Sequence, residues 1–151
     1  MGAIMEFATE KQIESFLSTC RIEGQKNFLM AFKKKTWLKS FIDFFIIGGS
    51  YYVQSSVKPK ILAFTPKGIY LMDISDVTES RSNHVVEMSW NQVQDFTYKT
   101  ALNTVRLNWH YQNEDYIFSV DVGQISQHVG QYQFNKEHYD YLSQQDFFQS
   151  K

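Results

Sequence analysis

The sequence predicts a mainly β domain of the α+β kind. It would hold roughly seven antiparallel strands in a bent sheet or partly open barrel, capped by a C-terminal helix and preceded by an N-terminal helix. Three observations carry that expectation. Apolar and polar residues alternate with period two from Tyr51 onward. Pro66 and Gly68 stand where a type I turn over Thr65–Gly68 wants them. Apolar stripes at helical spacing flank this region on both sides.

Composition supports the same class. A chain of 151 residues is about one domain in length. With 43% hydrophobic and 21% charged residues it is not a disordered chain, and two prolines and seven glycines exclude a collagen-like or linker-like one. Aromatic residues reach 17%, which favours strands or a broad aromatic core. A lone cysteine, Cys20, excludes an internal disulfide and suits a reducing compartment.

The elements follow in order. Thr9 caps a helix, and Gln12 completes a capping-box pattern with it. Ile13, Phe16, Leu17 and Cys20 then form one stripe, in which Cys20 is a small buried hydrophobe and not a nucleophile. Gly24, soon after Arg21, offers the stop. Residues 26–50 read either as a helix or as a pair of short buried strands. On a helix Trp37, Leu38, Phe41, Phe44 and Phe45 share a face, with Lys39 and Asp43 opposite, and Gly48-Gly49 breaks the run.

Tyr51–Val57 reads as a strand, and Pro59 marks its end or an edge position. The hairpin of Lys60–Thr65 and Gly68–Asp73 is the best-defined local element. A polar loop spans Ser75–Asn83, and Val86, Met88 and Trp90 then alternate on one strand face. Phe96 and Tyr98 mark the next strand, with a break near Ala101–Asn103. Val105, Leu107, Trp109 and Tyr111 alternate with Arg106, Asn108 and His110. A polar turn, Gln112-Asn113-Glu114-Asp115, returns the chain through Tyr116, Phe118, Val120 and Val122. Gly123–Phe134 is Gln-rich and irregular. Asn135 then caps a last helix, with Tyr139, Leu142 and Phe147 along one stripe and Tyr141 and Phe148 opposite.

The stretch Lys60–Asp73 resembles the "apolar strand, Thr-x-x-Gly, apolar strand" hairpin of bacterial pleckstrin-homology-like (PH-like) domains. Met88–Phe96 is similar to the step that follows it in that family, and the meander Thr104–Val122 and the helix from Asn135 stand in the family's order. The resemblance covers about residues 51–149. It divides the chain into an N-terminal helical extension, 1–50, packed on a single PH-like folding unit, 51–151. It implies a seven-stranded, helix-capped barrel without catalytic machinery that binds lipids or proteins or associates with itself. The Lys-spaced-Arg-x-Arg motif of the phosphoinositide-gripping members is absent, so no ligand residue is carried over.

The residues themselves offer no chemistry of their own. His84, His110, His128 and His138 lack metal-ligand spacing and read as scattered surface histidines. There is no Gly-x-Ser-x-Gly elbow, and Gly48-Gly49-Ser50 has no phosphate loop around it. Glu114-Asp115 sits in the expected turn, solvated. No enzyme, metal or cofactor is expected.

Charge is more informative. The net −1 divides into +4 over residues 1–75 and −5 over residues 76–151. With a pI near 6.4 and only Arg21, Arg81 and Arg106, nucleic acid is not the partner. The basic aromatic run of Lys33, Lys34, Lys35, Trp37, Lys39 and Phe41 suits an anionic membrane interface, where lysines meet phosphates and rings enter the acyl boundary. Phe41–Ile47 is far short of a spanning helix and no secretory signal precedes it, so a cytoplasmic, membrane-peripheral protein is expected. Contact with an anionic lipid surface or a membrane-associated protein is the function expected first. A protein scaffold or homo-oligomer built through an edge strand is the alternative, and a small-ligand pocket or enzyme a weaker third.

Overall fold

The computed structural model describes residues 8–33, 59–123 and 134–149. The elements are α1 (Glu10–Thr19), β1 (Phe28–Lys33), β2 (Pro59–Phe64), β3 (Gly68–Asp73), α2 (Ile74–Thr78), β4 (Val86–Ser89), β5 (Gln94–Ala101), β6 (Thr104–Tyr111), β7 (Glu114–Asp121) and α3 (Phe134–Gln144). All the strands join one antiparallel sheet in the order β4-β3-β2-β1-β7-β6-β5. The seven-stranded sheet with a helix at each end is the arrangement the sequence predicts.

The sheet curls on itself. In a flat sheet β4 and β6 would lie about 24 Å apart, five inter-strand steps of ~4.8 Å. Instead Trp109 Nε1 of β6 lies 3.3 Å from Met88 Sδ of β4, and the Trp90 and Phe96 rings are 5.5 Å apart. Curling creates an inside, filled by Leu29, Leu62, Phe64, Ile69, Met88, Leu107, Trp109, Phe118 and Val120 and closed by Leu142 and Phe147 from the C-terminal end. The outer face of β1 and β2 has its own apolar layer. There Phe28, Met30, Ile61 and Ala63 meet Ile13, Phe16 and Leu17 of α1, Ile74 and Val77 of α2, and Phe134.

Several expectations are corrected. Phe28–Lys33, within the segment expected to be a helical extension, is a strand, and β1 is the middle strand of the sheet. Pro59 opens β2, and at a strand's first residue a missing N–H costs little. The polar loop after Ser75 begins as α2, whose Ile74 and Val77 are buried, and continues into a 3-10 turn over Ser82–His84. The β6–β7 turn is tighter than the sequence suggests. Only Gln112 and Asn113 form it, with φ of 50° and 65°, as a two-residue I′ hairpin demands. Glu114 and Asp115 are therefore strand residues. Val86, expected on one strand face with Met88 and Trp90, is exposed, whereas Met88 is buried.

The Thr65–Gly68 hairpin forms as expected, with reciprocal backbone bonds of 3.0 and 3.2 Å. Gly68 is also required by packing, because a Cβ there would run into the Met88 carbonyl of β4. At the start of α1 the Thr9/Gln12 capping box is present. The stop, however, is Arg21 and not Gly24. Arg21 adopts φ 62°, and the Ile22 and Arg21 amides return to Leu17 O at 2.8 Å and Ser18 O at 3.0 Å, a Schellman closure. Cys20 is the C-cap residue and only half-buried, and burial pushes its thiol up, away from a reactive thiolate.

Asn135 is no cap. It is fully buried inside α3, where Nδ2 donates to Met30 O (3.0 Å) and Asp121 O (3.1 Å) and Oδ1 accepts from Met30 N (2.9 Å). Among the described residues β1 and β7 pair at Phe32↔Ser119 and Lys33↔Phe118. Continued two residues, that register would set Met30 against Asp121. The amide of Asn135 occupies the gap where the two strands diverge and completes both backbones.

Candidate functional site

Of the residues the sequence singles out, Lys33 is described, while Lys34, Lys35, Trp37, Lys39 and Phe41 lie outside the described residues. So do the Phe41–Ile47 run, Gly48-Gly49-Ser50, the Tyr51–Val57 strand and His128. Lys33 ends β1 at the rim of the curled sheet, opposite Phe118 of β7. Its ammonium lies 3.3 Å from Glu114 Oε2 and 5.0 Å from the centre of the Tyr116 ring. Period-two geometry explains the grouping. Glu114, Tyr116 and Phe118 project from the same face of β7, so Lys33 meets the first two at the rim.

Behind Lys33 the rings form a column. Trp109 stacks on Tyr116 at 5.5 Å and 5° and on Phe118 at 5.4 Å and 15°. Tyr111 stands beside Tyr116. Tyr70, away from this column on the outer apolar layer, donates to Glu87 Oε2 at 3.2 Å. Burial, then the Glu114 charge, pushes the Tyr116 hydroxyl above its ordinary value; burial and Glu87 do the same at Tyr70. These phenols remain neutral donors through the physiological range. The rim is thus a lysine–carboxylate pair laid on aromatic rings. With a carboxylate already on it, Lys33 is not a free cation.

The rim is also where the β1–β2 connection leaves and returns. β1 ends at Lys33 and β2 begins at Pro59, directly opposite Phe32. Residues 34–58 therefore depart from and rejoin adjacent strands at one end of the sheet.

Two polar clusters escaped the sequence reading. Asp76 is 3% exposed and accepts from Asp73 N (3.1 Å) and Arg81 Nε (3.3 Å), with His84 Nδ1 at 2.9 Å. Burial alone would raise its carboxyl. The Asp73 amide, His84 and Arg81 outweigh that and hold it below the usual carboxylate range. The spacing of Asp73 and Asp76, an N-cap and an N3 acid before Val77, was the available signal. His138, expected at the surface, is fully buried, between Phe28 O (2.8 Å) and Glu10 Oε2 (3.0 Å). His84 is exposed as expected, and His110 is half-buried beside Asp115 at 2.8 Å. Among the described residues no group of three or more His, Cys, Asp or Glu is placed to hold a metal ion.

Among the described residues, fold and rim together define a helix-capped, curled antiparallel sheet. No family model matches the chain, and no curated protein or solved structure matches it. No helix among the described residues is long and apolar enough to cross a membrane.

Proposed function

We propose that the chain is a non-catalytic binding module of the bacterial PH-like kind, acting by peripheral contact with an anionic membrane or a protein held there. The observation that carries this reading is the origin of residues 34–58. Because Phe32 pairs with Pro59, both ends of the segment are fixed side by side at one end of the sheet. That segment holds Lys34, Lys35, Trp37, Lys39 and Phe41 in sequence. Near an anionic surface each lysine contributes about 1 kcal/mol, and the aromatic rings supply the part that salt does not screen. Lys33 is engaged with Glu114 and serves as the root of the segment, so attraction rests on Lys34, Lys35 and Lys39.

Self-assembly along a sheet edge is the weaker reading, because both edges are blunted. β4 has four residues, and β5 carries a register shift between Gln94 and Thr97, a positive φ at Asp95 and an exposed Lys99. Co-sedimentation with anionic and neutral vesicles across a salt series tests the proposal. Binding to anionic vesicles alone, released by salt and lost in a Lys34/Lys35/Lys39→Glu variant, is expected. Protein left in the supernatant at low salt would overturn the membrane reading.

A further inference from the structure

The outer apolar layer contains one ionisable contact that crosses three elements. His138 of α3 lies wholly inside, edge-on to the Phe28 ring at 4.6 Å and 88° and near Phe134 at 5.0 Å. Its Nδ1 is 2.8 Å from the Phe28 carbonyl of β1, and its Nε2 is 3.0 Å from Glu10, the first residue of α1. A carbonyl oxygen can only accept, so Nδ1 carries a hydrogen. Nε2 then faces a carboxyl group, and the two cannot bond unless one proton lies between them, whichever atom holds it.

We propose that the Glu10–His138 contact is a proton-dependent latch that fastens α1 to the sheet. With the shared proton present, α1, α3 and β1 are joined through one ring. When it leaves, the Nε2 lone pair faces the Glu10 carboxylate, the bond is lost and the carboxylate turns toward water. The latch is therefore closed at lower pH and opens as pH rises. α1 presents Glu10 and Glu14, the following turn Glu23 and Lys26, and α3 Glu137 along one groove, whereas β1 presents only its carbonyl and ring. Lys26 is occupied by Glu137 at 3.1 Å, which leaves the carboxylates of that groove in excess.

The latch modulates α1 and does not by itself hold it. Ile13, Phe16 and Leu17 stay buried in either state, so loss of the proton makes α1 open more often without detaching it. One charge-assisted hydrogen bond corresponds to an increase of about tenfold.

Amide hydrogen exchange on the full chain, from about pH 5 to about pH 9, reads this directly, with β6 amides as the internal reference and intrinsic exchange corrected. Protection of the α1 amides relative to β6 should fall about tenfold as pH rises. In Glu10→Gln, where the amide can either accept from or donate to Nε2, the contact survives either ring state and the pH dependence should vanish. Glu14→Gln should keep it. Imidazole nitrogen NMR should show Nδ1 protonated throughout and Nε2 changing over the same interval. A pH-independent wild type, a dependence that persists in Glu10→Gln, its loss in Glu14→Gln, or an Nδ1 that releases its proton first would each overturn the latch.

Discussion

The two faces of the sheet are covered by different kinds of material. Inside the curl the packing is sheet against sheet, with rings in register. Trp109, Tyr116 and Phe118 stack, while Phe96, Tyr98 and Phe147 lean on one another at 4.6–6.2 Å. Outside, the cover is helical, and buried polar groups fasten it, Asn135 to β1 and β7 and His138 to β1 and α1. Rings tolerate small sliding but not removal, because they fill the curl. Polar fasteners fix position, and they fail individually once a partner is lost. The inner face should therefore govern whether the chain folds, and the outer face where its helices sit.

Removing the centre of the ring column is the largest blow to that comparison. Trp109 is 2% exposed, and Trp109→Ala should cost about 3–5 kcal/mol by the transfer and cavity terms together. Denaturant unfolding should show one transition moved to lower midpoint. A loss of exchange protection confined to β5–β7 would mean that the sheet is not one cooperative unit. The next largest effect belongs to the outer fastening. Asn135→Ala removes its bonds to the Met30 amide and carbonyl and to the Asp121 carbonyl, and about 3 kcal/mol should be lost. Protection should fall first at Met30, while β6 stays protected.

The same contrast explains how much of the molecule was legible in its sequence. β6 shows water one face and the core the other, so its burial alternates residue by residue and the period-two signal is clean. β1 is covered on both faces, Leu29 and Ala31 inward and Phe28 and Met30 outward, so Phe28–Phe32 is a continuous apolar run without strand periodicity. A strand buried on both sides cannot be told from a helix by pattern alone, which is why the sequence leaves Phe28–Phe32 ambiguous. The rim was partly legible, since Lys33 was named but its partner Glu114, 81 positions away, was not. Asn135, His138 and Asp76 were misread for a common reason. Each is polar by type and buried by place, and burial depends on contacts distant in the chain.

Asp76 ties α2 to the chain that follows it, and its contribution is open to titration. Its folded carboxyl lies below the ordinary aspartate value near ~3.9. The stabilisation is therefore complete above about pH 4 and is lost as pH falls through the lower, folded value. Asp76→Asn should cost about 2 kcal/mol at neutral pH, the range for hydrogen bonds to a charged group. The gap between wild type and variant should narrow below about pH 4. A gap that stays constant in acid would show that Asp76 acts by shape and not by charge.

The smallest effect has the opposite sign and tests whether the cover of the outer face can be improved without touching its contacts. Arg21 closes α1 at φ 62°, a region that costs an L-residue about 1–2 kcal/mol and glycine nothing. Arg21→Gly removes that strain while keeping the backbone bonds to Leu17 and Ser18. It also gives the unfolded chain more freedom, which takes back about 0.4–1 kcal/mol. A net gain of about 0.5–1 kcal/mol follows, or roughly 2 °C in Tm for a chain of this size. Leu102, at φ 56° and 98% exposed on the β5–β6 turn, offers the same strain on the other side of the comparison, away from any helix. If Leu102→Gly stabilises and Arg21→Gly does not, the arginine side chain contributes to seating α1, and the helical cover depends on more than its buried stripe.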